Sequence, residues 1–300
     1  MKVLNFGSMN LDYVYTVDHF LTKGETQAAT GRTTYTGGKG LNQSVALARA
    51  GVFVYHAGNV GAGGEVLLRE LAESNVDTTY VRRQDDLPTG HTVIQIDREG
   101  DNCILVFGGA NRSVTKEQVD ETLEAFGEGD FLLLQNEING LQDIMAAAAN
   151  RGMRIFFNPS PMDESIFALP LETVDTFVVN EVEAAALTGA DPEEPAAEAE
   201  QILHSLLEAY PDSTFVLTLG EEGAWYADRE TRVFQPAYRE VAVDTTGAGD
   251  TFLGYYVAGL LRGDTPAEAL DLASRAAAIC INRPGAAPSI PVLKEVEAFQ

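Results

Sequence analysis

The chain has 300 residues, with 45 acidic side chains against 20 basic ones and a formal net charge of −25. That balance argues against an electrostatic footprint for nucleic acid, and no stretch approaches the roughly 20 apolar residues that a membrane span requires. Cys103 and Cys280 stand far apart in no metal-ligating spacing, so zinc is not expected and a reducing cytoplasm is.

Residues 1–6 read directly as a strand, without the charged and apolar regions of a signal peptide. Short apolar runs at 3–7, 52–57, 131–134, 154–157, 176–179 and 214–218 suit strands buried on both faces. Amphipathic helical patterns lie between them at 65–73, 115–126, 141–151 and 196–209, so strands and helices alternate as a mostly parallel sheet demands. Two regions break the alternation. Tyr13-Val14-Tyr15-Thr16-Val17 pairs with residues 31–36 as β-like segments, and residues 91–96, the turn Asp97-Arg98-Glu99-Gly100 and residues 103–107 read as a hairpin. No linker, low-complexity run or internal repeat divides the chain, so residues 1–300 are expected to form one domain with a lid. In such open sheets ligands bind beyond the carboxyl ends of the strands. Asn10, Gln135-Asn136-Glu137, Asn158, Asn180 and Gly220 all follow strands there and converge on one cleft.

Two glycine-rich segments carry the chemistry. Thr36-Gly37-Gly38-Lys39-Gly40-Leu41-Asn42-Gln43 opens a helical run that closes on Gly51, and it is not a Walker A loop. Its paired glycines let backbone approach a ligand, while Lys39 and Asn42 bring donors to it. Near the end, Asp244-Thr245-Thr246-Gly247-Ala248-Gly249-Asp250-Thr251-Phe252 joins a glycine turn to one carboxylate at the mouth of a helix. The amides of Gly247, Ala248 and Gly249 are expected to form an anion nest reinforced by the helix dipole. A phosphoryl group in flight carries such charge. Asp250 beside it can take a proton from an attacking hydroxyl, although Asp is also a favoured helix cap.

With these segments, Asn10-Leu11-Asp12, Thr89-Gly90, Gly109-Ala110-Asn111, Gln135-Asn136-Glu137, Asn158-Pro159, Asn180-Glu181-Val182-Glu183, Thr218-Leu219-Gly220 and Arg283-Pro284-Gly285 occur in one order. Together they resemble, through almost the whole chain, the ribokinase (PfkB) family of carbohydrate kinases. The resemblance implies an α/β, ribokinase-like three-layer sandwich with a mostly parallel central sheet. It also implies a small β-lid inserted at about 12–36 and 90–108, through which a homodimer is expected.

The same resemblance assigns sites. Asn10, Asp12, Gly38, Lys39, Asn42 and Glu137 match the positions that hold sugar hydroxyls, with Asp250 as base. Asn180, Thr218, Gly220, Gly223, Gly249 and Ser274 match the positions that contact ATP. Glu183 matches an acid that orders Mg2+ through water, which suits an ion that keeps most of its waters. Asp244, Thr246, Cys280, Arg283, Gly285 and Ser289 match a K+ site made largely of backbone carbonyls. A chain this acidic must bind a polyanion through local fields, and Lys39 is one of only five lysines. Two departures stand out: the acids Glu221 and Glu222 beside the expected phosphates, and the short loop Gly61-Ala62-Gly63-Gly64-Glu65. The expected activity is ATP-dependent sugar phosphorylation, with ribose the leading acceptor. Deoxyribose, fructose, ketodeoxygluconate and nucleosides stay open as acceptors, as does a catalytically silent sugar-binding regulator.

Overall fold

A computed structural model describes residues 1–189 and 199–299; Asp191-Pro192-Glu193-Glu194 and the start of the helix expected over 196–209 lie outside the described residues. The order is β1 (Val3–Phe6), β2 (Asn10–Thr16), β3 (Gly31–Gly37), α1 (Lys39–Arg49), β4 (Val54–Ala62), α2 (Glu65–Glu73), β5 (Asp77–Pro88), β6 (Gly90–Ile96) and β7 (Asn102–Phe107). Then come α3 (Lys116–Leu123), β8 (Phe131–Gln135), α4 (Leu141–Asn150), β9 (Arg154–Asn158), β10 (Thr176–Asn180), α5 (Glu181–Thr188) and α6 (Ala199–Ala209). The last elements are β11 (Thr214–Thr218), β12 (Gly223–Ala227), β13 (Arg232–Pro236), α7 (Ala248–Arg262), α8 (Pro266–Ile281) and α9 (Leu293–Ala298).

Nine strands form one sheet in the order β13-β12-β11-β10-β9-β8-β1-β4-β5, parallel from β11 to β5 and antiparallel at β12 and β13. The central strands are largely apolar on both faces because both faces are covered, with a few buried polar side chains such as Asn5 and Gln135 among them. Alternation sends Val3, Phe131, Leu133 and Val216 into one core with α1, α7 and α8. It sends Leu4, Phe6, Leu132, Leu134, Phe215 and Leu217 into the other, with α3, α4 and α6. The result is the expected three layers. The strand expected at 52–57 runs on to Ala62, and β5, β12 and β13 lie outside the apolar runs. The edge strands β5 and β13 carry half-exposed, charged or alternating residues, so the both-face burial signal is absent from them, while β12 is buried but short and opens on a glycine.

The two regions expected to form a lid make a separate four-stranded sheet in the order β3-β2-β6-β7. Asn10, expected in the turn after β1, instead opens β2, where it stands opposite Gly37 and Gly90. The lid therefore begins inside the site rather than above it. On the other side, α1 and α7 pack so closely that a Cβ on Gly254 would meet the Ala46 Cβ at 2.4 Å and the Leu47 nitrogen at 3.0 Å. Each added methyl there would have to displace backbone.

Candidate active site

The glycine turn before α7 is built by local bonds. Asp244 Oδ1 accepts the Thr246 N–H at 2.9 Å, and Gly247 takes φ 78°, a conformation that costs a side-chain-bearing residue dearly. The turn differs from expectation at one amide. Ala248 N–H donates to the Thr245 carbonyl at 3.2 Å, closing the turn, and so does not face a ligand. Among the described residues, the N–H groups of Gly247, Gly249 and Asp250 meet no acceptor. They are the open donors of the helix N-terminus, and the dipole adds to their field.

Asp250 is buried, and both its oxygens are held by α1: Asn42 Nδ2 donates to Oδ2 at 2.9 Å and Gln43 Nε2 to Oδ1 at 2.8 Å. Gly38, at φ 90°, turns the chain into α1 so that these amides face α7. Asn42 Oδ1 is buried with no partner among the described residues, an acceptor left for a hydroxyl. Glu137 Oε2 accepts from the Ser8 hydroxyl and from the Lys39 N–H at 3.0 Å. Asn10 Oδ1 accepts from Asn111 Nδ2 at 2.7 Å, and Asp12 Oδ1 from the Thr92 hydroxyl at 2.7 Å. Burial raises the Asp12 pKa to about 6; the Thr92 hydroxyl works against the rise and the carboxylates of Glu137 and Asp250 add to it. For Lys39, burial lowers the pKa, but the charges of Asp250, Glu137 and Glu183 outweigh it and leave the ammonium above its ordinary value. The expected sugar-side residues are thus brought together around Asp250.

A cleft of about 240 Å³ adjoins them, walled by Lys39, Asn180, Glu183, Thr218, Gly249 and Asp250 among others. Gly220, Gly223 and Ser274, expected on the nucleotide side, stand outside its walls. Gly223 has a reason of its own in the sheet, since a Cβ there would meet the Gln235 carbonyl at 2.2 Å. Asn180 caps α5: its side chain accepts the Glu183 N–H at 2.9 Å, and Glu183 Oε2 accepts the Asn180 N–H at 3.1 Å. Glu183 Oε1 has no partner among the described residues and is left for solvent or an aquated ion.

The two loops expected around K+ are tied together. Asp244 Oδ2 accepts the Gly285 N–H at 2.8 Å, and the Val243 and Asp244 N–H groups both donate to the Ile281 carbonyl. The carbonyls of Thr246, Arg283 and Gly285 accept no backbone hydrogen bond among the described residues, a donor set that fits a monovalent cation. The Cys280 carbonyl already accepts the Arg283 N–H at 3.0 Å, and the Ser289 hydroxyl donates to the Ala286 carbonyl at 2.6 Å. Each still has a lone pair for a cation, because a carbonyl oxygen has two and a donating hydroxyl keeps both of its own.

Sequence reasoning missed Ser8, Asn111, Thr92 and Gln43 as neighbours of these groups. The signal for Ser8 and Thr92 was faint, because a hydroxyl in a loop or lid strand is ordinary composition. Asn111 and Gln43 lay inside quoted motifs without a role.

A family model described as pfkB family carbohydrate kinase matches residues 1–293. A ribokinase of Staphylococcus aureus is 32% identical over 304 residues, covering 98% of each chain. A crystal structure of ribokinase from Cryptococcus neoformans in complex with ADP superimposes with a TM-score of 0.87 at 31% identity, covering 100% of this chain and 99% of that one. An Arabidopsis thaliana ribokinase complexed with ribose and ATP gives 0.86 at 28%, covering 99% and 98%.

Proposed function

The chain belongs to the pfkB family of carbohydrate kinases, and from that premise we propose that it phosphorylates D-ribose with ATP, giving ribose 5-phosphate and ADP. The observation that carries the reading is Asp250: one buried carboxylate gripped by the sugar-side helix α1 at the head of the helix that presents free amides to the cleft. Relatives named as ribokinases, one of them complexed with ribose and ATP, support the choice of substrates.

In this reading Asp12, Asn42 and Glu137 hold the ring hydroxyls, and Asp250 takes the proton of the primary hydroxyl as its oxygen attacks the γ-phosphoryl group. The amides of Gly247 and Gly249 stabilise the charge that builds on that group; a donor of this kind is worth about 3–4 kcal/mol. Lys39 supplies the positive field that an acidic chain otherwise lacks. Glu183 would hold Mg2+ through water, and the bound ion would offset phosphate charge. Asp244 with the carbonyls of Thr246, Arg283 and Gly285 would hold K+, which would stiffen the turn before α7.

A homodimer through the lid is supported by edge strand β7, where Ile104, Leu105, Val106 and Phe107 are 52%, 70%, 54% and 49% exposed in a row. Two free thiols, Cys103 and Cys280, are in keeping with a reducing cytoplasm. Among the described residues no helix is long and apolar enough to cross a membrane.

The test is coupled ADP release across ribose, 2-deoxyribose, fructose and nucleosides. Ribose should give the highest kcat/KM. Release with another acceptor and none with ribose would overturn the substrate, and release with none of them would overturn the activity.

A further inference from the structure

Behind Asp250 runs a chain of buried amides with no access to either substrate. Gln43 Oε1 accepts from Gln135 Nε2 at 2.6 Å, and Gln135 Nε2 also donates to Asn5 Oδ1 at 2.9 Å. Asn5 Nδ2 donates to the Gly40 carbonyl at 2.7 Å and to Ser44 Oγ at 2.8 Å, and Ser44 Oγ meets His56 Nδ1 at 2.8 Å. Asn5, Gln43, Ser44, His56 and Gln135 are all fully buried.

The chain has a direction, and one group sets it. A backbone carbonyl cannot exchange acceptor for donor, so Gly40 obliges Asn5 to turn its NH2 towards α1 and its oxygen towards Gln135. Gln135 must then present its NH2, and its two hydrogens go to Asn5 and Gln43. Gln43 in turn must present its oxygen to Gln135 and its NH2 to Asp250. A flip of Gln43 would set donor against donor at Gln135 and oxygen against oxygen at Asp250, and a flip of Gln135 would set oxygen against oxygen at both Asn5 and Gln43, inside the core where water cannot relieve the cost. Asn42 is different. Its Oδ1 has no partner among the described residues, so only the Asp250 carboxylate orients it, whereas Gln43 is locked from both sides.

We propose that Gln43 and Gln135 are positioning residues: together they hold the Asp250 carboxylate in one rotamer, ready to accept the sugar's proton. This rests on Asp250 being the base. The ionisable groups that feel Asp250 are Asp12 from β2, Lys39 from α1 and Cys280 from α8, while Glu137 after β8 and Glu183 in α5 act on Lys39. Their fields reach Asp250 through space and leave its orientation to the two amides.

The experiment uses the full chain with ribose and ATP, and measures kcat, both KM values and the pH profile of kcat at saturating ribose. Gln43→Met keeps the volume and removes the donor. It should lower kcat about 10- to 100-fold and leave the KM for ribose within about threefold. Gln135→Met, which does not touch Asp250, should lower kcat in the same direction, and the double variant should be no slower than Gln43→Met alone. Gln43→Glu retains the shape and can donate to Asp250 only when protonated, so its turnover should rise as pH falls from 8 to 6. The proposal is overturned if Gln43→Met keeps parental kcat while Asp250→Asn is inactive, or if the single losses multiply in the double variant. An active Asp250→Asn would instead sink the base assignment, and the positioning role with it.

Discussion

Replacing Asp250 by Asn tests the chemistry most directly, and the structure says how the variant would fit. In the parent both carboxylate oxygens accept amide hydrogens, from Asn42 at 2.9 Å and Gln43 at 2.8 Å. An Asn at this position keeps one oxygen, which Gln43 claims because its own amide is locked by Gln135. The new NH2 then faces Asn42, whose unpartnered Oδ1 can rotate in to accept it. Both bonds to residue 250 are remade and one Asn42 amide atom is left without a partner, as in the parent, so the loss is chiefly the exchange of charge-assisted bonds for neutral ones, about 1–2 kcal/mol of stability. Turnover has no such escape. Without a base it should fall at least about a hundredfold, which at 1.36 kcal/mol per decade is about 2.7 kcal/mol of barrier. Coupled ADP release at saturating ribose measures the rate, and urea unfolding measures the stability. Turnover within about fivefold of the parent would refute the assignment of Asp250 as base. By contrast, Asp250→Ala strands two buried donors at once and should cost more in stability than the Asn variant.

Glu137→Gln should raise the KM for ribose by roughly 10- to 150-fold, from loss of a charged hydrogen bond worth about 1.5–3 kcal/mol, with a smaller change in kcat; steady-state kinetics separate the two. Asp12 gives a pH signature. Its pKa is raised in the fold to about 6, so the folded state binds the proton more tightly than the unfolded chain, and stability is lost as pH climbs from the ordinary carboxylate range through about 6. Asp12→Asn should therefore raise Tm at pH 7.5 and leave it little changed at pH 4, by at most about 3 kcal/mol, while weakening ribose binding; equal Tm shifts at both pH values would contradict the raised pKa. Turnover should be higher in potassium than in sodium or Tris at constant ionic strength, and Asp244→Ala should abolish the difference; equal rates for the parent in all three buffers would remove the cation. Leu105→Glu should convert a dimer to a monomer by sedimentation, and a parental chain that already sediments as a monomer would dismiss the lid interface.

The central sheet was legible because its strands are buried on both faces and so read as apolar runs, as in Phe131-Leu132-Leu133-Leu134. Edge strands were not, since β5 carries Arg82, Arg83, Asp85 and Asp86 on half-open faces. Asp250, Lys39 and Glu137 could be picked out because a carboxylate or an ammonium beside glycine is chemically loud. Their supports could not. Asn5, Gln43 and Gln135 are far apart in sequence and ordinary in composition, and only the pairing of β1 with β8 and the seating of α1 make them neighbours. Ala248 was misjudged for a local reason, because a tight turn consumes one of its own amides and no residue pattern says which.

The Gly254 contact between α1 and α7 has an evolutionary reading. The acceptor-gripping amides ride on one helix and the base on the other, so their spacing is set by a van der Waals stop between two rigid rods rather than by any loop. The lid strands β6 and β7 take no part in that stop. Sugar preference can thus drift through lid residues such as Thr92 while the transfer machinery stays in gauge, and a lid transplanted from a relative should change which hydroxyls are recognised without misaligning the proton transfer.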